Sequence, residues 1–229
     1  MSKAKAWTTD DPGPLAGRVL DELEAAAIAP GRPVIAVDAD EVLVHFAEHF
    51  RDWLTAAGYR FRLTAYRLDD AIRDEDDRPL SRDEITPLIW RFIEEETRRQ
   101  PAIDGAAAAL SRLAGDAQVL VLTNAPAKMR ADRLANLAGH GVDYPLVMNE
   151  GGKGRALAWL AERSGAPVIF VDDSAAQHGS AAKHAAAVTR VHLVGSELLK
   201  PIVGRVDVAH HHPADWREAE RTIRAALDG

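Results

Sequence analysis

Val34-Ile35-Ala36-Val37-Asp38-Ala39-Asp40 is an unbroken apolar run that ends in two carboxylates spaced two residues apart. Small or branched apolar side chains before Asp38 leave no polar alternation, the pattern of a parallel strand covered by helices on both faces. Val168-Ile169-Phe170-Val171, followed by Asp172-Asp173, repeats the pattern. In open α/β sheets ligands bind in the crevice outside the carboxyl ends of the strands. If the two runs are neighbouring strands, Asp38, Asp40, Asp172 and Asp173 converge there. Crowded carboxylates repel unless a cation sits among them, and oxygen ligands alone favour Mg2+. Taken singly, each acid could instead cap a helix or form a turn.

Outward from these runs, helical and strand patterns alternate. Helices are expected at 15–29, 42–57, 81–99, 103–113, 128–138, 155–164, 175–187 and 216–227, with further strands at 118–122, 145–148, 189–194 and a last short one at 206–209. Ser81 and Glu84 match a capping box, and Pro87 inside that helix implies a kink or a late start. Alternation of this kind predicts an α/β fold: a Rossmann-like parallel sheet flanked by helices, joined by right-handed crossovers. The interruption at 42–100 is mostly helical and reads as a small cap inserted after the first strand, the core being 15–41 and 101–229.

The 229 residues are 47% apolar, enough for one good-sized core, and carry 35 acids against 28 bases for a net charge of -7. Without clustered Lys and Arg a nucleic-acid polymer is a poor partner, although a local site can still take a small anion. The absence of Cys rules out disulfides and thiolate chemistry. No apolar run reaches the ~18 residues of a membrane helix, and the first ten residues lack a signal-peptide core. The expectation is therefore a soluble, cytoplasmic protein without a membrane partner, either a monomer or a homodimer. Gly151-Gly152-Lys153-Gly154 lacks the Ser or Thr of a Walker loop, and no Gly-x-Gly-x-x-Gly follows the first strand.

Four elements in order resemble the motifs of the haloacid dehalogenase (HAD) superfamily: Asp38-Ala39-Asp40-Glu41-Val42, Thr123 after Val119 to Leu122, Lys153 before a helix, and Asp172-Asp173. The resemblance covers about residues 33 to 195. It implies that Asp172 takes the metal together with Asp38 and the main-chain carbonyl of Asp40, with Asp173 either a further ligand or a partner of water and Lys153.

The chemistry can also be argued from the residues. A carboxylate is a poor nucleophile toward a phosphate ester, but with Mg2+ and fixed cations screening the repulsion it can form an aspartyl-phosphate. Asp38 is the expected nucleophile and Asp40 the expected acid and base. Thr123 and Lys153 complete the catalytic set by stabilising the transferring phosphoryl group. Asn124 is expected to orient substrate or loop. The superfamily usually has Gly where Glu41 stands, so Glu41 must tolerate that backbone or bring a carboxylate to the substrate.

The expected substrate is a small phosphorylated molecule, with a nucleotide among the candidates because the aromatic-rich start of the cap is similar to deoxyribonucleotidase-like members. Phe46, Phe50 and Trp53 could stack on a base or simply form helix core. Glu41, His45 and His49 recur every four residues, as a substrate contact, a second metal site or a solvated face; Glu41 and His45 are the expected substrate ligands. Arg60, Arg62 and Arg67 could meet a distal anion. Trp53, Trp90 and Phe92 could pack between two caps or simply inside one. His210-His211-His212 cannot converge on one centre from a regular element. Two other functions fit parts of the pattern: an attenuated binding or regulatory protein on the same scaffold, favoured by Glu41, and a metal-independent 2-haloacid dehalogenase, against which Asp40 and Asp172 stand.

Overall fold

Both apolar runs are central strands of one parallel sheet. The computed structural model describes residues 14–63 and 71–228. In chain order the strands are β1 (Val34–Val37), β2 (Arg60–Phe61), β3 (Ile72–Arg73), β4 (Gln118–Thr123), β5 (Leu146–Met148), β6 (Val168–Asp172) and β7 (Thr189–His192). The main sheet has the order β5-β4-β1-β6-β7, all parallel. Val37 lies opposite Val121 on one side and Val171 on the other. Asp38 and Asp172, each the next residue, therefore leave the sheet level with one another.

The helices are α1 (Gly17–Ala25), α2 (Ala47–Ala56), α3 (Arg82–Glu96), α4 (Ala106–Leu113), α5 (Arg130–Gly139), α6 (Gly154–Ser164), α7 (Ala175–His184) and α8 (Trp216–Asp228). Ile35, Val37, Val119, Val121, Ile169 and Val171 face a cluster with Leu110, Leu113, Leu137, Trp216 and Ile223. The alternate residues Val34, Ala36, Leu120, Leu122, Val168 and Phe170 face Val19, Leu23, Leu157 and Leu160. Two-sided burial of this kind, worth roughly 1.5–3 kcal/mol for each large side chain, is why the strands carry no polar alternation.

Beyond β1 the chain does not enter a helix at Val42 as the apolar periodicity suggests. Residues 39–44 form a tight turn, in which the Ala39 carbonyl accepts from the N–H groups of Leu43 and Val44 and Glu41 N–H donates to the Val44 carbonyl. Glu41 takes the left-handed conformation, with φ 62°. The helix begins at Ala47 instead, so Glu41 and His45 precede it and do not share its face with His49. The outgoing segment lies against the returning one, with His45 N–H donating to the Pro101 carbonyl and Ile103 N–H to the Leu43 carbonyl.

Between these segments, the inserted region comprises α2, the antiparallel pair β2 and β3, and α3. α3 starts at Arg82 behind the Ser81–Glu84 capping box and keeps Pro87 within its span. The two-residue strands β2 and β3 were too short to be visible as a sequence pattern. Phe50, Leu54, Ile72, Leu80, Ile85, Phe92 and Ile93 form the region's own cluster, which Met129 completes from the turn after β4. Phe92 meets Phe46 edge-on at 5.1 Å and Phe50 at 5.0 Å. The stripe is thus helix core in its buried part, with Trp53 half-buried at its edge and Trp90 buried. Arg60 pairs with Asp77, and Arg67 lies outside the described residues.

Residues 206–209 form no strand. A β-bridge beside β7 is made instead by His211 with Val191, while the Val208 carbonyl accepts from Arg190 Nε at 2.7 Å. Gly195, in the loop after β7, donates its N–H to the Glu41 carbonyl at 2.7 Å. A Cβ there would lie 2.3 Å from Ile103 Cδ1 and 2.8 Å from that carbonyl oxygen, so only glycine permits the approach. Among the described residues, no helix is long and apolar enough to cross a membrane.

Candidate active site

Asp38, Asp172 and Asp173 each offer a carboxylate oxygen within 4.8 Å of the others, and all three are buried. This is the one such group of His, Asp and Glu side chains among the described residues. Asp38 is fixed by its own N–H to the Val171 carbonyl at 2.9 Å, while its Oδ1 accepts from Ala39 N–H at 2.7 Å. Asp172 Oδ1 accepts from Ser174 N–H at 2.8 Å, and Ser174 caps α7 through its hydroxyl.

Lys153 stands between the two strands' acids, with Nζ 2.8 Å from Asp38 Oδ1 and 2.6 Å from Asp172 Oδ2. Its position is built from three directions. Lys153 N–H donates to Gln177 Oε1 at 2.8 Å, and the Gln177 amide returns to the Gly151 carbonyl at 3.2 Å. That same carbonyl accepts from Asn124 Nδ2 at 2.6 Å and Asn149 Nδ2 at 3.2 Å. Next to the lysine, Gly154 is so close to α7 that a Cβ would lie 2.1 Å from the Ser180 carbonyl oxygen. Lysine placement thus rests on the contact between α6 and α7.

Burial pushes the Asp38 carboxyl above the usual carboxylate range, with Lys153 opposing that shift and Asp172 adding to it. Burial works to lower Lys153, but Asp172 and Asp38 overcome it and hold the ammonium above its ordinary value. His178 is pushed down to about 4, chiefly by burial, and is neutral at physiological pH. Its Nε2 lies 2.9 Å from the Asp172 carbonyl oxygen, which requires the proton on that nitrogen. Two of the three carboxylates share the Lys153 ammonium, and the trio's all-oxygen donor set fits a hard divalent cation such as Mg2+.

Thr123 is buried at the end of β4, beside β1. Asn124 spends its amide inside the protein, accepting from Asn149 Nδ2 at 2.9 Å in addition to holding Gly151. Asp40 stands apart from the three acids. Its Oδ1 accepts from Arg133 Nη2 at 2.7 Å and from Gln100 Nε2 at 3.2 Å. Glu41 is turned the other way, its Oε1 accepting from Phe46 N–H at 3.2 Å and Ala47 N–H at 2.5 Å at the start of α2. Burial drives its carboxyl up to about 8. His45 Nδ1 lies 3.3 Å from Glu48 Oε2, and His49 Nε2 lies 2.9 Å from Glu96 Oε2. In the histidine tract, His210 meets Arg190 and His212 Nε2 donates to the Val206 carbonyl.

Arg133 and Gln100 are site residues that sequence reasoning missed; His178, expected on a helix surface, is buried. For Arg133 a signal existed: Met129, Arg133 and Leu137 recur every four residues, all buried, with a guanidinium in the middle of an apolar stripe.

No protein-family model matches the sequence, and no curated relative does. Solved structures match over nearly their full length. A HAD family hydrolase from Deinococcus radiodurans R1, with bound phosphate and sodium, is 17% identical with a TM-score of 0.55, over 86% of this chain and 97% of that one. A conserved haloacid dehalogenase-like protein from Agrobacterium tumefaciens str. C58 is 19% identical, with a TM-score of 0.55 over 85% and 99%. An L-2-haloacid dehalogenase is 11% identical, with a TM-score of 0.56 over 84% and 100%.

The chain shares its fold with these HAD-like structures. In that HAD frame, Asp38, Asp172 and Asp173 stand at the carboxyl ends of two adjacent strands, β1 and β6, with Lys153 reaching between them.

Proposed function

We propose that the protein is a Mg2+-dependent phosphomonoester hydrolase that works through an aspartyl-phosphate on Asp38. The observation that carries this reading is Lys153 Nζ held at 2.8 Å from Asp38 and 2.6 Å from Asp172, with Asp173 in the same group. Asp38, Asp172, Asp173 and the main-chain carbonyl of Asp40 would hold the ion, which supplies charge neutralisation of the phosphoryl group when bound.

The steps belong to the side chains. A carboxylate oxygen of Asp38 attacks phosphorus as the bond to the leaving oxygen breaks, and Asp40 gives that oxygen its proton. Asp40 then takes a proton from water as the water oxygen attacks phosphorus, the bond to Asp38 breaks, and inorganic phosphate leaves. Lys153 holds Asp38 in line and offsets charge on the phosphoryl oxygens, while Thr123 and the N–H groups after it offer donors to them. Residues 42–100 act as a cap over the crevice, with His45 and Glu41 at its root. Because the Glu41 carboxyl serves the start of α2, we assign it the role of holding the cap rather than touching substrate.

The substrate is a small phosphorylated molecule. Bound phosphate in the Deinococcus radiodurans hydrolase is consistent with that class. A nucleotide stays a candidate, with half-buried Phe46 and Trp53 as the aromatic surface nearest to what such a ligand needs. An Asp40 and an acidic trio retained together favour phosphate chemistry over dehalogenation, which needs neither.

The test is hydrolysis of phosphomonoesters with and without Mg2+, beside beryllofluoride binding followed by fluorine NMR. Turnover that requires the metal, and both turnover and the fluoride adduct lost in Asp38→Asn, are expected. A protein that turns over no phosphomonoester and forms no adduct is not this enzyme.

A further inference from the structure

Asp40 is held by two side chains that the proposed reaction has not used. Arg133 is 2% exposed, yet its Nε has no partner and Nη1 reaches only Asn136 Oδ1, at 3.5 Å. A buried guanidinium so thinly satisfied is a costly choice in an apolar stripe where leucine or methionine would pack. Its one strong contact is Nη2 to Asp40 Oδ1 at 2.7 Å. Gln100, 1% exposed, donates Nε2 to the same oxygen at 3.2 Å. The Gln100 main chain is itself fixed, its carbonyl accepting from Asn136 Nδ2 and from His140 Nε2, each at 2.8 Å, while its buried side-chain Oε1 has no partner among the described residues.

Both donors converge on Oδ1, and among the described residues Oδ2 of Asp40 accepts no hydrogen bond. The Asp40 side chain is 21% exposed, so the carboxylate is reachable from solvent. A planar guanidinium fixes a carboxylate's plane as well as its position.

We propose that Arg133 and Gln100 are positioning residues that pin Asp40 by Oδ1 and thereby assign Oδ2 as the atom that delivers and recovers the proton. This rests on the phosphatase reading and on Asp40 as its acid and base. Arg133 touches neither substrate nor Asp38. Its effect is transmitted through the orientation of Asp40, and it must therefore scale with how much the leaving group needs a proton.

The experiment compares kcat/KM, which reports the steps up to phosphoryl transfer to Asp38, for a primary alkyl phosphate and for p-nitrophenyl phosphate, whose leaving group departs without help. Arg133→Met continues the stripe and leaves Asp40 to Gln100 and water, so it keeps the fold; Gln100→Leu is the second variant. Loss of an effective general acid costs about 10²–10⁴-fold. Arg133→Met should lose about 100-fold or more on the alkyl ester and under tenfold on p-nitrophenyl phosphate, with Gln100→Leu smaller in the same direction. Arg133→Lys should recover at least tenfold on the alkyl ester. The double variant Asp40→Asn with Arg133→Met should fall no further than Asp40→Asn alone. Beryllofluoride binding at Asp38, read by fluorine NMR, should persist in Arg133→Met.

Equal losses on both esters, a lysine variant no better than the methionine one, or additive losses in the double variant would overturn the assignment while leaving the phosphatase reading intact. A wild-type protein that turns over neither ester and takes no beryllofluoride removes that reading, and this one with it.

Discussion

Trp216, the first residue of α8, donates its indole N–H to the main-chain carbonyl of Val42 across 2.7 Å. The C-terminal helix thus fastens the turn that carries Asp40 and Glu41 away from the sheet. Both partners are buried. Trp216→Phe keeps most of the apolar volume and leaves that carbonyl unpaired, which costs about 1–3 kcal/mol. Chemical denaturation should report that loss.

Removing the lysine ammonium should be more damaging. In Lys153→Met, Asp38 and Asp172 remain buried without their shared cation, and breaking a buried pair in this way costs about 3–5 kcal/mol. Turnover of phosphomonoesters should vanish as well. Unfolding midpoints at neutral pH test the first part. An unchanged midpoint would mean that one of the carboxyls binds a proton as soon as the lysine leaves.

Glu41 separates two effects. Its φ of 62° strains any residue with a Cβ, whereas its carboxyl group serves the start of α2. Glu41→Gly and Glu41→Ala both lose the carboxyl group, but only glycine relieves the backbone. The glycine variant should be more stable than the alanine one by about 1 kcal/mol, a difference readable from paired denaturation curves. Equal stabilities would mean that the turn relaxes out of the left-handed region in the alanine variant.

Gly154→Ala places a methyl against main-chain atoms of Ser180, which cannot rotate away. Separation of α6 from α7 should cost about 1–3 kcal/mol and displace Lys153. Activity should fall more than stability alone predicts, measured well below the unfolding temperature.

The capping box of α3 should be visible in the acid range. Arg78, followed by the Ser81 N–H and hydroxyl, holds the Glu84 carboxyl down at about 2, below its ordinary value near 4.5. A depressed folded-state pKa contributes stability above the unfolded value and loses it as pH falls through the folded one. Glu84→Gln should therefore lower the melting temperature at neutral pH, and the gap between the two proteins should close between about pH 4.5 and pH 2.

The parallel strands were legible because two-sided burial leaves an unmistakable signature, and with them came the acids at their ends. The start of α2 was not. Val42, Leu43 and Val44 read as the apolar start of a helix, but they fill the core from a turn whose geometry depends on one left-handed residue. Helical reading also linked Glu41 to His45 and His49, a relationship that the turn abolishes. The pairing of Arg133 with Asp40 spans 93 positions, and no local pattern announces a contact at that range. Val206 to Ala209 carries strand-like residues, yet the edge of β7 is approached by His211 instead.

Gly195 carries an implication for how this chain can vary. The loop after β7 rests on the Glu41 carbonyl and on Ile103, one from each of the two segments that join the inserted region to the sheet, and the fit leaves no volume for even a methyl group. In a library randomised across that loop and selected for folded protein, position 195 should return a single codon family, whatever sequences its neighbours accept.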